Sequence, residues 1–189
     1  MAAGPRPLPL NRTSEVTTAQ LTFMVLRGPA AGRDLSVHAF QLEPFDTGVL
    51  TLLRYLALAT SEPHGAAWRC ALTVAEERWP GNGGRVTLDL MAVLDTLPRA
   101  MGRAFRTIDP LDLESRAFLT GDEDAMVKAI AAMRRDETPV ARSKIAHLTD
   151  GRMDPALIQA ALSFANAHKV VRATGPERIR ALPKGAMLH

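Results

Sequence analysis

The chain has a single cysteine, Cys70, among its 189 residues. One thiol excludes an internal disulfide bond and any metal site that needs several cysteines. Histidine does not take their place, because no two of the five histidines are one helical turn apart, the spacing that would put two imidazoles on one metal ion. We therefore expect neither a metal nor another cofactor.

Long hydrophobic runs are also lacking. No apolar stretch reaches the roughly eighteen residues of a membrane-spanning helix. Residues 1–20 contain prolines and hydroxyl side chains in place of the continuous apolar core of a signal peptide. These features predict a cytoplasmic protein without a membrane partner.

Known catalytic signatures are missing as well. The sequence contains no Gly-x-Ser-x-Gly nucleophile elbow. The glycine-rich stretch 80–84 lacks the lysine and hydroxyl of a phosphate-binding loop, which favours a turn between two helices. Glu76 and Glu77 are adjacent, so a helix would point their side chains about 100° apart instead of placing them as a catalytic pair. We expect no enzyme activity.

Aromatic residues are scarce, at 5% of the chain, whereas apolar residues as a whole make up 47% and are rich in alanine. Alanine is the strongest helix former, and aromatic side chains favour strands. The length suits one domain with appendages. Composition therefore predicts a single, mainly α domain.

The sequence does contain a stretch, residues 46–60, that is apolar almost all round a helical wheel. Arg54 and Tyr55 are its only large polar interruptions, and Asp46 suits the N-cap. A helix with apolar side chains on nearly every side belongs in the middle of a bundle. We predict that this helix forms the core of the fold.

Apolar residues at helical spacing predict the other helices. These cover about 68–79, a stripe over 87–105 that Pro98 interrupts with a kink or a fresh start, and then 120–135, 138–148 and 155–168. Thr120 and Glu123 have capping-box spacing, and Asp154 precedes a proline, which is typical of a helix start. The expected fold is a helical bundle of about six short helices.

The segment before the central helix, residues 21–43, has a different pattern. Strand-favouring residues lie on either side of the proline and glycine in 29–32, which predicts a small β-hairpin. A short helix that ends at Gly28 is the alternative. The hairpin and the helices together would form one domain over residues 21–168.

The two ends of the chain differ from this domain. Residues 1–20 have three prolines and little periodicity, which predicts an extended or flexible arm. Residues 169–189 form a basic tail with five bases and one acid, whereas residues 109–124 carry six acids and one base. Such segments favour electrostatic partners, including each other.

Arg99, Arg103 and Arg106 are the first candidates for binding a partner. Their spacing would put them on one positive stripe of a helix. That stripe could meet phosphates, an acidic protein, or this chain's own acidic residues in 109–124. A solvated helix face without a partner is the alternative.

The second candidate is the basic tail. Its apolar residues alternate with bases and are separated by glycine and proline, which is typical of a segment that docks on a partner. The residues expected to make the contact are Val171, Arg178, Ile179, Arg180 and Leu182. A passive tail is the alternative.

We therefore interpret the chain as a non-enzymatic, cytoplasmic interaction or regulatory protein that binds another protein. The basic residues would suit an acidic partner. The alternative hypothesis is a nucleic-acid-binding regulator that uses the arginine stripe and the basic tail. An enzyme with an unrecognised site is the third. The sequence does not indicate the oligomeric state.

Overall fold

The computed structural model describes residues 23–28, 35–36 and 42–170. The predicted arm, residues 1–20, lies outside these ranges. So do residues 171–189 of the predicted tail, which include Val171, Arg178, Ile179, Arg180 and Leu182.

The described part of the chain is mainly helical, as predicted. It contains six helices of eleven residues or more, one helix of five residues and four short strands. The helices are α1 (Pro44–Ser61), α2 (Ala67–Arg78), α3 (Gly83–Leu94), α4 (Leu97–Met101), α5 (Gly121–Arg134), α6 (Thr138–Leu148) and α7 (Pro155–Ala167). The strands are β1 (Phe23–Leu26), β2 (Leu35–Ser36), β3 (Phe105–Ile108) and β4 (Phe118–Leu119).

The first helix, α1, is central, as the sequence predicted. It packs against α2, α3, α5, β1 and β3. Val49, Leu52 and Leu53 are completely buried in the main hydrophobic core. A helix surrounded on several sides has no wide face left for polar residues, which explains its apolar sequence.

The prediction that Asp46 caps α1 was wrong. Glu43 is the N-cap residue, without a side-chain cap bond, and Pro44 opens the helix. Proline suits a helix start because its missing N–H would have no partner there. Asp46 lies inside the first turn and pairs with Arg134 of α5, with 2.8 Å between Oδ1 and Nη1.

The helix starts in the second half were predicted correctly. Thr120 and Glu123 form the expected capping box at α5. Asp154 caps α7 by accepting hydrogen bonds from the backbone N–H groups of Ala156 and Leu157. Each of these side chains satisfies N–H groups that a helix leaves unpaired at its first turn.

Strands do form near the N-terminus, but their pairing differs from a hairpin. β1 pairs in parallel with β3, and β2 pairs antiparallel with β4. Residues 23–28 are also held beyond the strand, because the amide of Gly28 donates to Asp112 and Arg27 pairs with Asp109. The segment from β3 to β4 therefore supplies the strand partners that a hairpin would have supplied locally.

The predicted helical stripe over 87–105 is divided. α3 ends at Leu94, and α4 is the fresh helix that Pro98 allowed. Gly102 ends α4 in a left-handed conformation, with φ of 66°. Phe105, expected on the helix, is instead completely buried in β3.

Candidate functional site

Glu123 is the centre of a buried polar network at the N-terminus of α5. Its carboxylate accepts bonds from Arg54 (2.8 and 2.9 Å), Thr107 Oγ1 (2.7 Å), and the backbone N–H groups of Ile108 (3.0 Å) and Thr120 (2.9 Å). These five hydrogen bonds replace the water that a buried carboxylate has lost. Such saturation suits a structural role better than proton transfer.

Arg54 also holds the segment that leads into β4. Its guanidinium donates to the carbonyl oxygen of Arg116 at 2.9 Å and to that of Phe118. One buried side chain thus connects α1, α5 and the backbone of 116–118. These bonds fix the distance between α1 and that backbone.

Asp122 forms ion pairs with two of the three arginines expected to bind a partner. Arg103 makes two bonds to its oxygens, at 2.7 and 2.9 Å, and Arg106 adds its backbone N–H at 2.8 Å and its side chain at 3.5 Å. Burial alone would raise the pKa of Asp122, but these hydrogen bonds and charges lower it below its ordinary value. Both arginines therefore meet the chain's own acidic segment, one of the partners considered for them.

The prediction that Arg99, Arg103 and Arg106 share one helical stripe was wrong. Arg99 is in α4, Arg103 follows the left-handed Gly102, and Arg106 is in β3. The side chain of Arg99 is 73% exposed and lies 3.7 Å from Asp154. The helix break at Gly102 separates the three residues, so they do not lie on one face of a helix.

A tightly bonded loop, residues 109–115, connects β3 to the short 3₁₀ helix Ser115–Ala117. Asp112 accepts bonds from the amides of Gly28 and Glu114 and from Ser115 Oγ. These bonds, with the Gly28 amide first among them, lower the pKa of Asp112. Asp109 accepts from the amide of Leu111. The loop is therefore fixed by its own acids.

This loop exposes two large apolar side chains. Leu111 is 60% exposed and Leu113 is 69% exposed. Asp109 and Asp112 are turned towards backbone and side-chain donors. A leucine alone on a surface is ordinary; here two of them lie on one hydrogen-bonded loop beside a cleft.

The cleft lies between α1 and this loop and has a volume of about 480 Å³. Its walls are Thr51, Arg54, Tyr55, Pro110, Leu113, Arg116 and Ala117. We call this the Leu113 cleft. Volumes of several hundred Å³ are typical of binding pockets.

Two polar groups give the Leu113 cleft its chemistry. Burial raises the pKa of Tyr55. Interactions with Cys70 and Asp109 raise this pKa further, whereas the positive charge of Arg116 lowers it. Arg116 is exposed, and within the described ranges no carboxylate lies at ion-pair distance from it. The cleft therefore combines apolar walls with a neutral phenol and one cation available to a ligand.

Other kinds of site find no support in the described residues. Within them, no group of three or more His, Cys, Asp or Glu residues is arranged to hold a metal ion, and Cys70 is a partly buried free thiol. No helix of this part has both the length and the apolar character needed to cross a membrane. No family model matches the chain, and neither a curated protein nor a solved structure does.

Sequence reasoning missed Tyr55, Leu111 and Leu113. The stretch from Asp109 to Glu114 was interpreted only through its acids, although leucines alternate with them. That alternation was the available signal, because acids that cap a loop's amides leave the residues between them facing solvent. Tyr55 gave no signal beyond being a polar interruption in an apolar helix.

Proposed function

We propose that the protein is a non-enzymatic interaction protein that binds another protein at the Leu113 cleft. The observation that carries this proposal is the exposure of Leu111 and Leu113 on a loop fixed by Asp109 and Asp112. Exposed apolar patches with a polar rim mark protein interaction sites. The cytoplasm is the compartment we propose for this activity.

Rigidity of the loop favours binding. Asp112 bonds the loop both to Gly28 and to Ser115, so its backbone is held from two sides. A surface that is already ordered loses little conformational entropy when a partner docks. The leucines therefore need no rearrangement before contact.

The walls of the cleft define the partner's chemistry. Pro110, Leu113 and Tyr55 favour an apolar side chain, and Arg116 favours a carboxylate next to it. The proposed ligand is thus a protein segment with an apolar anchor beside an aspartate or glutamate. This agrees with the acidic partner that the sequence suggested.

The nucleic-acid hypothesis has less support from the described residues. Arg103 and Arg106 both bond to Asp122, which leaves them less available to phosphates. Nucleic-acid binding driven by phosphate contacts depends on free basic side chains. The basic residues after position 170 stay a separate prediction.

A comparison of two leucine variants tests the proposal. Leu113→Asp puts a charge into the cleft wall, and Leu88→Asp changes an equally accessible leucine of α3, since the two residues are 69% and 67% exposed. Each tagged protein is used to capture partners from extracts of the producing cells, with quantitative mass spectrometry. We expect specific partners to be lost with Leu113→Asp and kept with Leu88→Asp. Equal recovery with both variants would overturn the proposal.

A further inference from the structure

A second surface is an apolar groove between α6 and α7, with α5 as its floor. Both helices pack against α5. The groove has a volume of about 270 Å³, and its apolar walls are Met133, Ala141, Ile145, Met153, Ile158 and Leu162. Met153 and Leu162 are exposed. Apolar area left open to water favours an occupant.

One end of this groove lies where the described chain ends. Asp136, in the turn between α5 and α6, is one of the groove's wall residues. Lys169 Nζ lies 3.8 Å from Asp136 Oδ1, directly after α7. The chain beyond Val170 therefore starts beside the groove.

The remaining chain is long enough to follow the groove. α7 has 13 residues, so its length is roughly 20 Å at 1.5 Å per residue. About six extended residues span such a distance. Nineteen residues follow Val170, from 171 to 189, which leaves ample chain even with a turn at Gly175 and Pro176.

The composition of residues 171–189 matches the groove. Val171, Ile179 and Leu182 supply aliphatic side chains for the apolar walls. The groove's charged wall residues, Asp136 and Arg142, have opposite signs, and Asp136 already pairs with Lys169, so the match rests on the aliphatic side chains. An intramolecular segment also has a high effective concentration, which favours it over a free partner.

We propose that residues 171–189 fold back along the groove between α6 and α7, with Val171, Ile179 and Leu182 against its apolar walls. This contact is separate from the Leu113 cleft and does not depend on the function proposed for it. It assigns the predicted docking residues of the tail to a surface of the same chain.

Paramagnetic NMR on the full chain tests the proposal. A nitroxide is attached to Ala181→Cys in a Cys70→Ser background, and the ε-methyl signals of methionine report proximity to it. Met133 and Met153 line the groove, whereas Met91 of α3 is not among its wall residues. We expect strong broadening of Met133 and Met153 and little change at Met91.

Two variants and a mixing experiment provide the controls. Leu162→Asp changes an exposed groove residue, and Ile179→Asp changes only the tail, so each should reduce the broadening of Met153 several-fold. Folding of each variant is checked by circular dichroism. Absence of broadening in the parent, or broadening that both variants leave unchanged, would overturn the proposal. Broadening that appears only when labelled and unlabelled molecules are mixed would also overturn it, since the occupant would then be a second copy.

Discussion

Arg54 Nε lies 2.8 Å from Glu123 Oε1, and the two side chains are 5% and 0% exposed. This ion pair joins the central helix to the N-terminus of α5, although the residues are 69 positions apart in the chain. Arg54 also bonds to the backbone of residues 116 and 118. Arg54 therefore connects the backbone at one wall of the cleft to the buried core.

Replacing Arg54 with methionine should lower the free energy of unfolding by about 3–5 kcal/mol, because Glu123 would be left buried without its cation. Urea denaturation followed by the fluorescence of Trp68 and Trp79 measures this change. Arg85→Met is the matched control, since Arg85 is exposed and lies 3.4 Å from Asp89; its effect should stay under about 1 kcal/mol. Equal effects of the two substitutions would contradict the role given to the buried pair.

Leu53→Ala tests the position of α1 in the core. Leu53 is completely buried, so removing its side chain should lower the free energy of unfolding by about 2–5 kcal/mol. Leu88→Ala, at an exposed position of α3, should change it by less than about 0.5 kcal/mol. A small effect at Leu53 would mean that α1 lies at the periphery.

Two neighbouring glycines at the start of α3 should respond in opposite directions. A Cβ on Gly83 would lie 2.6–2.7 Å from backbone atoms of Ala75 and Glu76, whereas one on Gly84 would meet nothing within 4 Å. Gly83→Ala should therefore lower the free energy of unfolding by about 1–3 kcal/mol through overpacking. Gly84→Ala should raise it by up to about 1 kcal/mol, because alanine is the better helix former. Thermal melting distinguishes the two, and the same sign for both would contradict the close contact of α2 and α3.

His168 should make stability depend on pH. Its Nε2 lies 3.0 Å from Asp89 Oδ2, and burial lowers its pKa although Asp89 favours the charged form and the charges of Arg85 and Arg134 oppose it. The unfolded chain, with a histidine pKa near 6.5, then binds more protons than the folded chain just below that pH. The free energy of unfolding should consequently fall as the pH drops through about 6.5.

The variant His168→Gln isolates this effect. It should flatten the dependence between about pH 7 and pH 5.5, the range in which a histidine with an unperturbed pKa in the unfolded chain gains its proton. Asp112 and Asp122, whose pKa values are lowered, lose their contributions only in more acidic solution. Asp46, whose pKa burial raises, is present in both proteins and cancels in the comparison. Identical pH profiles of variant and parent would contradict the prediction.

Helix positions could be predicted because they depend on local sequence. The apolar residues of 46–60 indicated α1, and the capping residues Thr120 and Asp154 indicated α5 and α7. Pairing between distant segments gave no comparable signal. β1 bonds to β3, about eighty residues away, and no periodicity records such a partner.

The candidate site was largely hidden for the same reason. In the sequence, Arg54 is a polar interruption of an apolar helix. Its partner, Glu123, comes close to it only in the folded chain. Arg103 and Arg106 were rightly selected as charged residues, but a helix that ends at Gly102 gives them a partner in Asp122 and not a shared face. The exposure of Leu111 and Leu113 accompanies the inward bonds of Asp109 and Asp112, which depend on the folded loop.

The central claim is that another protein binds at the Leu113 cleft, and calorimetric titration of a captured partner tests it most directly. We expect Leu113→Asp to raise the dissociation constant at least about 30-fold, the equivalent of about 2 kcal/mol for the loss of a central anchor. Leu88→Asp should leave it within about twofold. Equal dissociation constants for the parent and Leu113→Asp would contradict the account.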